Sequence, residues 1–121
     1  MEVEGVALTI LKALKTDTLD ERNKAGAGRT FVVLEVLFEN VGQAEMAVNS
    51  LQFGVKDSSG VTHFTGPCYS EYNALPWEKL ATGEKSRGHV CIELPAVATG
   101  LVARYDPILT GGPTFRVDLG L

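Results

Sequence analysis

Residues 29–40 read RTFVVLEVLFEN and are followed by Val41-Gly42. Apart from Arg29, Glu35, Glu39 and Asn40, every residue of the stretch is β-branched, aromatic or Leu, and Gly26, Gly28 and Gly42 bound it. A short apolar run enclosed by turn residues is the signature of a strand buried on at least one face. Side chains alternate along a strand, so Val32, Leu34, Val36 and Phe38 form one set and Glu35, Leu37 and Glu39 the other. The two carboxylates assign the second set to the outside, because unpaired carboxylates rarely enter a core.

Working outward, the chain reads as shorter strands arranged around this one. Residues 3–15 fit helical spacing through Val3, Val6, Ala7, Ile10, Leu11 and Leu14. Leu8, Ile10 and Leu14 also fit a period of two, which Lys12 interrupts. Gly5 and Thr9 weaken a helix, and the company of other strands favours a strand here. Residues 16–28 are polar and then rich in Gly and Ala, and read as a loop. Over residues 48–57, Leu51, Phe53 and Val55 alternate with Gln52, Gly54 and Lys56. The turn Asp57-Ser58-Ser59-Gly60 then leads into residues 61–65, a β-hairpin. Residues 66–83 are long for a loop in a compact domain. Val90, Ile92 and Leu94 alternate with His89, Cys91 and Glu93 until Pro95 stops the strand. Residues 101–105 form another short strand. A turn at Gly111-Gly112-Pro113 precedes a last strand carrying Phe115, Val117 and Leu119.

Short strands with turn residues between them and little helix predict an antiparallel sandwich of about 7–8 strands. The expected core is Val32, Leu34, Val36, Phe38, Leu51, Phe53, Val55, Val90, Ile92 and Leu94. At 121 residues and 13.0 kDa the chain is expected to fold as one domain over residues 1–121. A net charge of −4, with the eleven Lys and Arg scattered singly, argues against nucleic acid and against a polybasic membrane contact. No run approaches the ~18 apolar residues of a membrane span. The first residues, MEVEGVALTI, carry acid rather than base and do not read as a signal peptide. Met1 is either a native start or the replacement for an export segment or anchor.

The order of the marks is itself informative: FVVLEVLFEN with Gly42, then Asp57 and Gly60, then Leu80-Ala81-Thr82-Gly83-Glu84, then Gly88 through Pro95. Over residues 6–107 this resembles a widespread bacterial cell-envelope domain family of unknown function, akin to the secreted mycobacterial immunogenic protein. The resemblance implies an immunoglobulin-like β-sandwich and an extracytoplasmic location, often behind a lipoprotein signal or membrane anchor. It brings no catalytic set, and its marks are structural residues that speak to fold rather than chemistry.

Two constellations could carry chemistry. His89 and Cys91 leave the same strand face as Glu93. An imidazole beside a thiolate is half of a metal site, with Cys68, His63 or Met46 to complete it. Alternatively that face is simply solvated, or Cys68 and Cys91 form a disulfide across residues 66–83. The long loop gathers Tyr69, Tyr72 and Trp77, aromatics with polar tips of the kind that anchor a partner or small ligand. The competing reading is that Trp77 and Leu75 plug one end of the sandwich. Enzymatic chemistry has least support: there is no G-x-S-x-G elbow, and Gly26-Ala27-Gly28 precedes a strand rather than opening a helix. The function expected is a non-enzymatic binding module with no cofactor. The alternatives are a metal-binding protein using His89 and Cys91, and a structural domain that dimerises through an edge strand rather than remaining a monomer.

Overall fold

Residues 29–40 form one unbroken strand in a computed structural model that describes residues 1–69, 72–107 and 113–121. In chain order the strands are β1 (Glu2–Val3), β2 (Val6–Thr16), β3 (Arg29–Asn40), β4 (Met46–Val48), β5 (Phe53–Lys56), β6 (Thr62–Phe64), β7 (Glu78–Leu80), β8 (Lys85–Pro95), β9 (Val102–Tyr105) and β10 (Phe115–Asp118). The ladder order is β1-β2-β3-β8 in one sheet and β10-β9-β5-β6 in the other, with β4 and β7 pairing separately. All pairings of the named strands are antiparallel. The chain crosses between sheets after β3, β6 and β8, which makes this an immunoglobulin-like sandwich. The excess over seven or eight strands comes from β1, β4 and β7, pieces of two or three residues. The turn expected at Gly111-Gly112 lies outside the described residues.

β3 is the keel. β2 and β8 flank it along nearly its full length, and its inward set Val32, Leu34, Val36 and Phe38 is buried. The facing sheet contributes Phe53, Val55, Ala103, Tyr105 and Phe115 to the same cluster. Phe38, Phe53 and Tyr105 pack as a triangle, with ring centroids 4.8–5.9 Å apart and tilted planes, the geometry aromatic quadrupoles favour. Burial raises the pKa of the Tyr105 phenol, whose oxygen accepts hydrogen bonds from Gln52 Nε2 (3.0 Å) and Asn49 N (3.3 Å).

Leu51 alone of the expected core residues is out of place, with 68% of its surface exposed. Asn49 explains it. Its side-chain oxygen accepts the Leu51 amide proton at 2.9 Å and caps a 3-10 turn over Ser50–Gln52. That turn breaks the alternation before Phe53, so Leu51 faces water while the polar Gln52 goes inward to meet Tyr105. Residues 48–57 are therefore two strands with a turn between them.

The ambiguous first segment is a hairpin. Glu4 and Gly5, at φ 50° and 84°, form its two-residue turn, and a Cβ on Gly5 would fall 2.9 Å from Gly42 Cα. The register of β2 slips between Ile10 and Lys12, which marks a bulge at Leu11. Ile10 opposes Val36 and Ala13 opposes Leu34, so the inward parity changes across the bulge. This shift is why the sequence imitates helical spacing.

The outer face of the first sheet is covered as well. Leu19, Phe31, Val33, Cys68 and Cys91 form a second buried cluster, against which Leu14, Ala25 and Tyr72 pack. Leu75, by contrast, belongs to the main core between the sheets, so close to β8 that a Cβ on the inward-facing Gly88 would come within 2.5 Å of its Cα. The loop of residues 66–83 is tied to β8 at two places, where Gly66 N and Leu75 N donate to Cys91 O and His89 O, before β7 turns away to pair with β4.

Two polar pins should be measurable. Asn40 is buried; its amide donates to Ala44 O and Leu80 O, both at 2.8 Å, and its oxygen accepts from Gly42 N. Asn40→Ala should lower stability by about 2–4 kcal/mol in denaturant unfolding, because three backbone groups lose their partner. Asp57 accepts from Ser59 Oγ and N and from Val61 N, and its second oxygen lies 2.8 Å from His63 Nε2. The Ser59 and His63 bonds hold its carboxyl well below the usual range. A depressed carboxyl stabilises the fold fully above its unfolded pKa of ~3.9 and loses that contribution as pH falls. Thermal melts of Asp57→Asn should therefore show a lower Tm at neutral pH and a shallower fall than wild type between about pH 5 and pH 2.

Candidate functional site

The residues singled out in the sequence fall in two separate places. On the outer face of the first sheet, Cys68 and Cys91 are joined as a disulfide with Cα atoms 5.3 Å apart. His89 stands two residues away on β8. Its Nδ1 lies 3.1 Å from Asn73 O and its Nε2 lies 3.4 Å from Glu35 Oε2. Tyr72 packs edge-on against the imidazole, with centroids 5.2 Å apart. Arg87 Nη2 donates to Glu35 Oε1 at 2.9 Å, and this bond, ahead of the nearby His89 and Lys12 charges, lowers the Glu35 pKa. Glu93 accepts from Arg29 Nε at 2.8 Å.

Both imidazole nitrogens of His89 therefore face partners, and the Cys91 sulfur is a disulfide sulfur with no thiolate to offer. The proposed completing ligands lie elsewhere: His63 is on β6 of the other sheet and Met46 is on β4. Among the described residues no group of three or more His, Cys, Asp and Glu is arranged to hold a metal ion. The face reads as a brace between sheet and loop rather than a coordination site.

The three aromatics are not one cluster. Tyr69, at φ 60°, rims a depression of about 330 Å3 with Arg22, Lys24, Phe31, Pro67 and Glu93. Tyr72 belongs to the His89 brace. Trp77 is 70% exposed at the head of β7, so of the expected plug only Leu75 enters the sandwich core. A wider depression of about 600 Å3 opens where Gly5 approaches Gly42, but its buried polar side chain, Asn40, is engaged through both amide atoms.

A further surface was missed from the sequence. Across the second sheet, Arg116 opposes Arg104, Arg104 opposes Gly54, and Gly54 opposes Phe64, so these four share its outer face. Gly54 lets β6 pack close: a Cβ there would fall 3.1 Å from Thr62 Cγ2 and 3.2 Å from His63 O. Leu51, Thr62, Phe64, Arg104 and Asp106 line a cleft of about 350 Å3 beside it. Phe64 is 71% exposed, and Leu51 forms the apolar end wall. Arg104 Nη2 lies 3.3 Å from Asp106 Oδ2, whereas its Nε is buried without a hydrogen-bond partner among the described residues. The available signal was Gly54, since a glycine inside an alternating strand marks a bulge or a close approach of ligand or backbone.

Comparison with known proteins decides the kinship. Residues 1–114 match the DUF4352 family, a domain of unknown function. The chain belongs to this family. No curated protein matches this DUF4352 domain significantly. Among solved structures it is similar to the yjhA protein of Bacillus subtilis, with a TM-score of 0.73 and 17% identity over 98% of this chain and 94% of that one. It is also similar to ycdA of Bacillus subtilis, a candidate lipoprotein, with a TM-score of 0.70 and 15% identity. That match covers 93% of this chain but spans only 36% of ycdA. The secreted protein MPT63 of Mycobacterium tuberculosis gives 0.65 and 9% identity over 93% and 82% of the two chains. At such identities the likeness is one of fold. No helix among the described residues of the domain is long and apolar enough to cross a membrane.

The disulfide should act as a staple between loop and sheet. Its closed loop, with a sequence separation of 23, gives a chain-entropy contribution of about 3.5 kcal/mol. Cys68→Ser/Cys91→Ser, or reduction of the wild type, should lower unfolding free energy by about that amount. Amide exchange at Gly66 and Leu75 should rise before exchange in β3 does. Unchanged stability and protection would show that the loop holds its place without the bond.

Proposed function

We propose that this DUF4352 domain is a non-enzymatic binding module that works outside the cytoplasm, on the cell envelope or released from it. The candidate lipoprotein and the secreted protein among its structural neighbours support the compartment. So does the Cys68–Cys91 bond, because disulfides persist where the surroundings are oxidising.

One observation carries the binding reading: Leu51, Phe64 and Trp77 are all more than two-thirds exposed around one ordered turn. Leu51 lies in the 3-10 turn, and Thr65, next to Phe64, bonds Ser50 O of that turn through its hydroxyl. Val48 opposes Glu78 in the β4–β7 ladder, so one step further Trp77 comes alongside Asn49, the turn's cap. Large apolar side chains held rigidly in water are the usual anchors of an interface. Edge pairing is the less favoured mode. Gly66 and Ala74 bridge to the free side of β8, and β2 carries a bulge with Lys12 and Lys15, devices that blunt an edge.

A photo-crosslinking residue placed at position 64 or 77 in the producing cell should give discrete adducts in the envelope or secreted fraction. One at position 37, on the opposite sheet, should give none. Equal labelling from all three positions, or adducts confined to the cytosol, would sink the reading. Trp77→Ala should remove its share of the anchoring while changing stability by less than about 0.5 kcal/mol, as expected of an exposed side chain.

A further inference from the structure

The cleft over Gly54 combines features that apolar contact alone does not require. Its walls, Leu51 and Phe64, are hydrocarbon, whereas its inner end is a guanidinium with an unpartnered, buried Nε. A buried donor without an acceptor is costly, and in a native fold it calls for an explanation. The neighbouring strand deepens the imbalance. Arg116 sits directly opposite Arg104, and like charges in facing positions repel. Asp106 offsets one of the two. On the next outward row Lys56 opposes Val102 and Val102 opposes Asp118, so the face as a whole keeps one cation in excess on a chain whose net charge is −4.

We propose that this cleft binds a small monovalent carboxylic acid with an apolar body, such as a ring or a short acyl chain. The carboxylate pairs with the Arg104 guanidinium where it lines the cleft, whose planar array of donors suits a carboxylate. The apolar body lies against the Phe64 ring and Leu51. Asp106, 3.3 Å from the same guanidinium, sets the charge preference. It repels a second negative charge, which favours a carboxylate over a phosphate dianion. The cleft's size is at the lower end of small-molecule sites, which suits a short ligand. Because Phe64 and Leu51 also belong to the proposed binding surface, this inference names a ligand class for that surface and rests on its being one.

The test is an amide NMR titration at pH 7 with octanoate, octan-1-ol and octyl phosphate. Octanoate should shift the amides of Gly54, Phe64 and Arg104 and bind about tenfold or more tightly than octan-1-ol, the worth of one charge-assisted contact. Octyl phosphate should bind more weakly than octanoate. Arg104→Gln should remove the preference for the acid while leaving the alcohol's weak affinity unchanged, and Phe64→Ala should weaken both. The unliganded spectra of each variant report whether the fold is intact, and Arg104→Lys, which keeps charge but loses the planar array, should be intermediate. Equal binding of acid and alcohol, or no effect of Arg104→Gln, overturns carboxylate recognition. Absence of shifts at these amides with all three probes overturns it too. Crosslinking from positions 64 and 77 then decides separately whether the surface binds a partner.

Discussion

The packing of Phe38 against Phe53 and Tyr105 is the contact on which the rest of the sandwich depends. It joins the keel strand of one sheet to the two central strands of the other. Three aromatic side chains at one level set the spacing between the sheets and exclude water from it. The Tyr105 hydroxyl needs acceptors or donors of its own once buried, and it finds Gln52 and the Asn49 amide. That requirement pulls residues 49–52 into a 3-10 turn, and the turn pushes Leu51 outward. An exposed leucine on the surface is thus a consequence of a satisfied tyrosine in the core.

Much of this was legible in the sequence, for a simple reason. β3 and β8 obey strict alternation over their whole length, so the inward parity of Val32 through Phe38 and of Val90 through Leu94 could be read directly. Failures came where a local hydrogen bond overrides the period. The Asn49 cap displaced Leu51, and the bulge at Leu11 disguised β2 as a possible helix. Both are one-residue events that binary patterning averages away. Leu19 shows the complementary blind spot: a lone leucine in a polar loop looks incidental, yet it is buried against Phe31 and Val33.

The functional surface was harder to read because its parts are remote in sequence and ordinary in type. Tyr69, Tyr72 and Trp77 are neighbours along the chain, but the loop lies against β8 and points them to different places. Phe64, Gly54, Arg104 and Arg116 come from four strands, and only the cross-sheet register brings them into one row. His89 and Cys91 were legible as a pair on one face. What the pattern did not contain was the second layer of structure over that face, which turns them into fastenings.

That second layer also decides which face is left for binding. A sandwich has two outer faces and its strand edges. Here Leu19 and Ala25 from one loop and Cys68 and Tyr72 from another cover one outer face, and the disulfide locks the second of these loops down. The same loop shields the free side of β8, and lysines and a bulge blunt β2. Among the described residues no loop covers the outer face of the β10-β9-β5-β6 sheet, which holds an exposed Phe64 and a guanidinium nitrogen without a described partner. Exposed hydrocarbon and an unsatisfied donor are each mildly unfavourable for the isolated fold, whereas Gly54 is required by the close approach of Thr62 and His63 O. The proposed binding surface would account for the first two, on the face that the described loops leave free.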